Sequence, residues 1–295
     1  MNLSVRFSLF SVLIAAMNGC GGSGDGNNGN ITQVVQPNPP SSFDAASENN
    51  GDVRLSWSLV EGVDTYNAYY STDPKMDINN YAVYSNSGWI KNITSPYTVK
   101  GLAVAPVYYF IVTAVDNNLE SKGSQLIPII TRYEIVSQEN DVVRDKVTNL
   151  EWQRCSLGQT WNKGTQDCDG VAGRYNTKIA FSYNGLSSGR WRLPSMAELK
   201  SLIYCVEDKK ISFIGSSVKD YCTQKASITS GVAKNTFPNT LSVIPYHSST
   251  EAEGYEGKGV YQMVSLINGS TMGGGCGRNC EVTSVHLRFV RDVVK

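Results

Sequence analysis

The sequence of 295 residues lacks an excess of charge of either sign, since 26 lysines and arginines stand against 26 aspartates and glutamates. This balance excludes a generally basic nucleic-acid-binding protein. Nucleophile elbows, metal-binding histidine pairs and phosphate loops are missing as well, so the sequence predicts neither an enzyme nor a cofactor. With 41% hydrophobic and 18% charged residues, the chain is expected to fold, as about two domains.

Long apolar runs are also missing, with one short exception near the N-terminus. The run from Phe7 to Met17 follows Arg6 and is too short for a bilayer, which requires about 20 residues, but it fits a secretory signal. Gly19-Cys20 follows and resembles the lipobox of bacterial lipoproteins. The resemblance implies a signal peptide over residues 1–19 and an acylated Cys20. Met17 and Asn18 depart from the usual lipobox, and an ordinary secretory signal is the alternative.

Residues 20–36 are predicted to form a flexible tether, because Gly21 to Asn30 contain glycine, asparagine, serine and aspartate but no core-forming side chain. A tether of this kind favours a chain whose N-terminus is fixed to a membrane. Gly21, rather than aspartate, follows Cys20, and among lipoproteins of two-membrane bacteria this favours the outer membrane. We therefore expect an exported lipoprotein with its lipid in that membrane.

Six cysteines remain when Cys20 is set aside, and an even number in an exported protein indicates a disulfide framework. Sequence spacing favours pairing between neighbours: Cys155 with Cys168, Cys205 with Cys222, and Cys276 with Cys280. The alternative is a zinc site with Cys276 and Cys280 as one half. The chain offers no second close pair with matching histidines, so no bound metal is expected.

A first module is predicted over residues 37–131, where short runs of β-forming residues alternate with turns. Val53, Leu55 and Trp57 alternate with polar residues, and a second strand covers Thr65 to Ser71. One face of a later strand is predicted to carry Tyr108, Phe110, Val112 and Ala114. These patterns predict an all-β immunoglobulin-like sandwich.

The leading Pro39-Pro40, the strand residue Trp57, and Leu102 six positions before Tyr108 resemble a fibronectin type III domain. The resemblance implies that Tyr108 is a corner tyrosine whose hydroxyl binds nearby backbone. The module has no cysteine pair and no Arg-Gly-Asp triplet, which excludes an antibody-type disulfide and gives no support to integrin binding. Its simplest role is that of a spacer, with direct contact to a ligand as the alternative.

A second module is predicted over residues 133–295. Ser195 and Glu198 form a capping-box pattern, and the following apolar residues indicate a helix to about Val206 that carries Cys205. We expect strands over Val260 to Ile267 and Val285 to Val290. Between these strands we expect a tight turn at Asn268-Gly269 and a loop at Gly273 to Cys276.

Motifs along this module resemble a bacterial extracytoplasmic family, the Lcl-type C-terminal domain of collagen-like adhesins. The matching segments begin with Val143-Arg144-Asp145 and Thr148-Asn149-Leu150-Glu151-Trp152, continue with Cys155-Ser156-Leu157-Gly158-Gln159-Thr160-Trp161, and centre on Trp191-Arg192-Leu193-Pro194. They close with Tyr246-His247-Ser248-Ser249 and Leu287-Arg288-Phe289-Val290-Arg291. Asn149 replaces the usual glycine, and His247 the usual tryptophan. The resemblance implies an α+β, C-type-lectin-like fold with a small antiparallel sheet. It also implies a role in attachment, because the adhesin of that name binds sulfated glycosaminoglycans.

Binding of an anionic glycan would require a cluster of basic side chains. The second module has 19 basic residues against 16 acidic ones, a balance of +3, and the candidates are Lys209, Lys210 and Arg278. Arg192 is expected to pair with Glu151 or Glu198 instead, and His286 to face solvent. We thus expect a membrane-anchored binding protein for a glycan or a matrix protein. A structural spacer is the alternative, and a glycan-acting enzyme a more distant one.

Overall fold

The computed structural model describes residues 35–48, 51–183, 190–208, 210–223, 228–240, 244–274 and 284–293, with side chains omitted at 228–231 and 274. Cys20, Lys209, Cys276, Arg278 and Cys280 lie outside these ranges. From Gln36 onward the chain forms one compact unit. Across the described ranges, no helix combines the length and the apolar character that crossing a membrane demands.

The first module consists of eight strands in two antiparallel sheets. The strands are β1 (Asp44–Ser47), β2 (Val53–Ser56), β3 (Thr65–Ser71), β4 (Gly88–Ile93), β5 (Tyr97–Val99), β6 (Val107–Asp116), β7 (Leu119–Glu120) and β8 (Ile127–Ile130). One sheet has the order β1-β2-β5; the other has the order β4-β3-β6-β7, with β8 also paired to β6. Apolar side chains from both sheets form a single core, which confirms the predicted all-β sandwich.

Three local predictions for this module are confirmed. Val53, Leu55 and Trp57 are buried, while Arg54 between them is exposed. The second predicted strand coincides with β3. The Tyr108 hydroxyl donates to the Ala103 carbonyl at 3.0 Å, as a corner tyrosine would.

Strand β6 is buried on both faces, whereas the sequence predicted one apolar face. The second face carries Val107, Tyr109 and Ile111, which pack in a separate apolar cluster with Ile211 and Phe213 of the second module. First-module residues such as Met76 and Tyr81, together with Ile211 and Phe213 of the second module, cover this second face of β6.

The second module is built from short strands and two short helices. Its elements are β9 (Tyr133–Ile135), β10 (Val142–Asp145), β11 (Leu150–Gln153), β12 (Thr160–Asn162), β13 (Asp167–Asp169), α1 (Thr177–Ser182), α2 (Met196–Ser201), β14 (Ile203–Glu207), β15 (Lys210–Phe213), β16 (Ile228–Val232), β17 (Tyr246–Glu251), β18 (Tyr261–Val264), β19 (Thr271–Gly274) and β20 (Val290–Asp292). They form four small sheets of orders β20-β11-β10-β9, β12-β13, β15-β14-β16 and β17-β18-β19. Trp152 and Leu199 lie in the core that these elements share.

The predicted helix to Val206 is wrong in its second half. Helix α2 has the expected capping box, with the Glu198 N–H donating to the Ser195 hydroxyl at 3.2 Å, but it ends at Ser201. The following residues form β14, the central strand of its sheet. Apolar spacing alone is compatible with a helix here, yet the β-branched and aromatic residues Ile203, Tyr204 and Val206 favour a strand once two partner strands are present.

Two other strands differ from their predicted boundaries. The strand predicted over 260–267 is limited to β18, and Val285 and His286 form isolated bridges, so only the end of the last predicted strand is regular. The turn at Asn268-Gly269 is confirmed, because Gly269 has φ +80° and its N–H donates to the Ser265 carbonyl at 2.8 Å. It connects β18 to β19, which contains two of the glycines predicted to lie in a loop.

Candidate functional site

The two modules meet where the hairpin β14–β15 packs on the first module. The Ile211 N–H donates to the Tyr109 hydroxyl oxygen at 3.1 Å. Arg132, between the modules, lies 4.5 Å from the centre of the Phe213 ring and forms a buried ion pair with Asp145, at 2.5 and 2.8 Å. Loss of either partner would leave a buried charge unpaired, which strongly destabilises a fold.

A cavity of about 320 Å³, here named the junction cavity, opens beside this contact. Ser47 and Glu48 at the end of β1 and Ile129 of β8 line it from the first module. From the second module, its lining includes Glu134, Arg154, Tyr204 and Lys234. Its volume lies at the lower end of the range for small-ligand sites, which runs from about 300 to 1,000 Å³.

A second cavity of about 550 Å³, the inner cavity, lies within the second module. Asp167, Phe237, Pro238 and Leu266 are part of its lining. Tyr204 and Lys234 line both cavities, so the two spaces adjoin at these residues. Tyr204 is half-buried and Lys234 is exposed, which places an aromatic ring and an ammonium group between the two spaces.

The linings of the two cavities together carry more acidic than basic side chains. Glu48, Glu134 and Asp167 contribute carboxylates, and Arg154 and Lys234 contribute cations. Arg154 is 3% exposed, and its guanidinium lies over Trp161 at 4.0 Å and donates to three backbone carbonyls. Burial lowers the pKa of Arg154 to about 10. Lys234 is thus the lining cation that remains exposed to a ligand.

Arg154 belongs to a group of three buried cations whose hydrogen bonds go to uncharged oxygens. Lys200 donates to the carbonyls of Ser217, at 2.7 Å, and Asp220. Arg288 donates to two backbone carbonyls and, at 3.2 and 2.7 Å, to the hydroxyls of Ser156 and Thr240. Burial lowers the pKa of Lys200 and that of Arg288. These three residues count among the 19 basic residues of the second module, but they are unavailable to an anionic ligand.

Of the three cations predicted to bind an anionic glycan, only Lys210 lies in a described range. It is the first residue of β15, is exposed, and is opposite Glu207 in the hairpin register. Lys209 and Arg278 lie outside, so the proposed cluster stays a prediction. Sequence reasoning missed Tyr204 and Lys234, because no local motif distinguishes them.

Two disulfides are confirmed. Cys155 is joined to Cys168 and Cys205 to Cys222. The predicted Cys276–Cys280 pair lies outside the described residues. Cys205 is on β14 rather than on a helix, so its disulfide fixes the hairpin that packs on the first module.

The Trp-Arg-Leu-Pro segment has a structural role. Arg192 donates to both Glu198 carboxylate oxygens, at 2.7 and 2.8 Å. Burial raises the pKa of Glu198, but the hydrogen bonds from Arg192 and Ser195 outweigh it and lower the pKa overall. Glu151, the other predicted partner of Arg192, instead accepts from Arg144 and Arg291 at 2.7 and 2.8 Å.

The expectation that His286 faces solvent is wrong. His286 is fully buried, with Nδ1 2.8 Å from the Gly173 carbonyl. His247 is buried as well, with Nε2 3.2 Å from the Thr177 hydroxyl. Strand alternation could not predict this burial, because it depends on the segment around Gly173 that covers the strand. Within the described ranges, no group of three or more His, Cys, Asp or Glu side chains is arranged to hold a metal ion.

Residues 141–291, half of the chain, match the family model of the Lcl C-terminal domain. The chain belongs to this family. The matched range contains α2 with its capping box, both described disulfides and the three buried cations. An Lcl C-terminal domain, together with disulfides, indicates an adhesin-like surface protein with an extracellular location.

Solved structures with partial similarity include a Fn3-like protein from Clostridium thermocellum, 28% identical over 32% of this chain and 92% of that chain, with a TM-score of 0.27. The FN5 domain of Drosophila Lar is 17% identical over 32% of this chain and 95% of that chain, with a TM-score of 0.26. TM-scores this low support no conclusion about fold or function. The sandwich fold of the first module follows from its own two sheets. A search of curated proteins found no match.

Proposed function

We propose that this protein is a non-catalytic, lipid-anchored surface adhesin whose globular unit recognises a glycan. The observation that carries the proposal is the Lcl C-terminal domain over residues 141–291, stabilised by two disulfides and packed against the first module. The first module then presents the binding domain in a fixed orientation and is more than a spacer.

The anchor is the acyl group on Cys20, attached through the residue 20–36 tether. A lipid of several chains supplies stable membrane attachment, at about 0.8 kcal/mol per buried methylene. Fractionation of cells that express the wild type and Cys20→Ala tests this. We expect the variant to move to the soluble fraction; equal membrane partition of both chains would contradict the anchor, and protease accessibility on whole cells would show which face carries the protein.

Glycan recognition is tested with the full mature chain on an array of neutral, carboxylated and sulfated glycans and matrix proteins. We expect saturable binding to at least one glycan class. If Lys209, Lys210 and Arg278 form an anion site, the triple serine variant loses retention on heparin and wild-type retention falls as salt rises, because exposed charges are screened over about 8 Å. Binding to matrix proteins alone would contradict glycan recognition. The absence of any binding would also contradict it and would favour an envelope structural role.

We also propose that the second module is related to C-type lectins. Its two short helices and small antiparallel sheets support this relation. A crystal structure of the full mature chain would test it, by comparison of its strand order with that of C-type lectins.

A further inference from the structure

We propose that the junction cavity and the inner cavity form one binding groove for an oligosaccharide without sulfate or carboxylate groups, and that the first module supplies part of its wall. This inference rests on the proposed glycan recognition and names the site and the ligand class.

The first step is continuity. The cavities of about 320 and 550 Å³ adjoin at Tyr204 and Lys234, so a ligand of two or more linked rings that passes over these two side chains contacts both cavities. A sugar ring has an apolar face of C–H groups and a rim of hydroxyls. Tyrosine offers an apolar ring and a polar tip in the same way, and Tyr204 stands between the two spaces.

The second step is charge. Glu48, Glu134 and Asp167 line the groove, and of its two cations Arg154 is engaged by backbone carbonyls. Glu134 is paired with Arg144 at 3.4 Å, so a polysulfated chain would meet the carboxylates of Glu48 and Asp167 and one exposed ammonium group. Like charges at close range repel each other, whereas carboxylates are good acceptors for sugar hydroxyl or amino groups. The lining therefore suits an uncharged or amino-bearing oligosaccharide.

The third step is the rigidity of the walls. Arg154 donates to the carbonyls of Asn235 and Thr236 at 2.6 and 2.9 Å, which fixes the segment that carries Lys234. The hydrogen bond from the Ile211 N–H to the Tyr109 hydroxyl joins β15 of the second module to β6 of the first, beside the groove. A site with fixed walls loses little conformational freedom on binding.

The test uses variants that fill or alter the groove from each module. Ser47 is exposed at the end of β1, so Ser47→Trp inserts a large side chain from the first module. Its matched control is Ser58→Trp, at an exposed loop position of the same module. Lys234→Ser alters the second module, and Lys258→Ser, at another exposed lysine, is the control.

The four full-length variants and the wild type are compared by thermal unfolding, then on the array and by calorimetry with neutral oligosaccharides and a heparin tetrasaccharide. We expect at least one neutral oligosaccharide whose Kd rises tenfold or more in Ser47→Trp and Lys234→Ser but not in the controls. Neutral ligands that bind all five chains equally, or binding restricted to sulfated and carboxylated glycans, would overturn the groove and leave glycan recognition standing. Absence of any glycan binding would overturn both.

Discussion

The two modules of this protein are stabilised in different ways. The first has strands of up to ten residues, one apolar core between two sheets, and no cysteines. In the second module, the longest described strand has six residues, and loops make up much of the described chain. Long paired strands hydrogen-bond each other's backbone N–H and C=O groups and bury a continuous core. The backbone groups of loops need other hydrogen-bond partners. The disulfides and the buried cations of the second module hold those loops.

The largest effect is expected from the removal of a buried cation. Arg288→Ala leaves two backbone carbonyls and the hydroxyls of Ser156 and Thr240 without this donor and opens a cavity beside Phe237 and Tyr246. We expect a loss of about 4 kcal/mol in the free energy of unfolding, measured by urea denaturation. Arg54→Ala, at an exposed position of the first module, should change it by less than about 0.5 kcal/mol. If both substitutions lowered the free energy of unfolding equally, the proposed difference between the modules would be wrong.

The disulfide Cys205–Cys222 is expected to follow. The double change of Cys205 and Cys222 to serine opens a loop with a sequence separation of 17, which corresponds to about 3 kcal/mol. Amide hydrogen exchange should show the loss in β14 and β15, and next in the face of β6 that contacts them, while the core between the two sandwich sheets keeps its protection. Uniform loss of protection in both modules would show that they unfold as one.

Acid is expected to destabilise the second module selectively. Burial lowers the pKa of His247 from 6.5 to about 4, and burial also lowers that of His286. Because the folded state binds fewer protons than the unfolded state, stability is full above pH 6.5 and falls as the pH drops from 6.5 towards 4. His247 alone corresponds to about 2 kcal/mol between pH 7 and pH 5.

Urea denaturation of the wild type and His247→Gln at pH 7 and pH 5 measures this effect. The variant should lose less stability than the wild type on acidification. A pH dependence that His247→Gln leaves unchanged would assign it to other groups.

The smallest effect is expected within the first module. Tyr108→Phe removes the hydroxyl that donates to the Ala103 carbonyl, so about 1 kcal/mol should be lost. Tyr97→Phe, a tyrosine without a described hydroxyl bond of this kind, serves as the comparison. If Tyr108→Phe costs as much as Arg288→Ala, the sandwich depends on its polar contacts as strongly as the second module does.

Sequence signals predict the structure correctly where their physical cause is local. The Ser195–Glu198 capping box, the glycine turn at Gly269 and the alternation of Val53, Leu55 and Trp57 depend on neighbours within a few residues. Two disulfides were predictable because short loops bring their cysteines together.

By itself, the sequence determined the all-β sandwich, the family and two neighbouring cysteine pairs, since each depends on composition, motif or short spacing. Tertiary structure decided three other features: that Ile203–Glu207 is a strand, that His286 is buried, and that Tyr204 and Lys234 lie between two cavities. Each requires partners distant in sequence, such as β16 for β14 and Gly173 for His286. Hydrophobic periodicity indicates which residues can share an apolar face, but the packing of distant segments determines what covers that face.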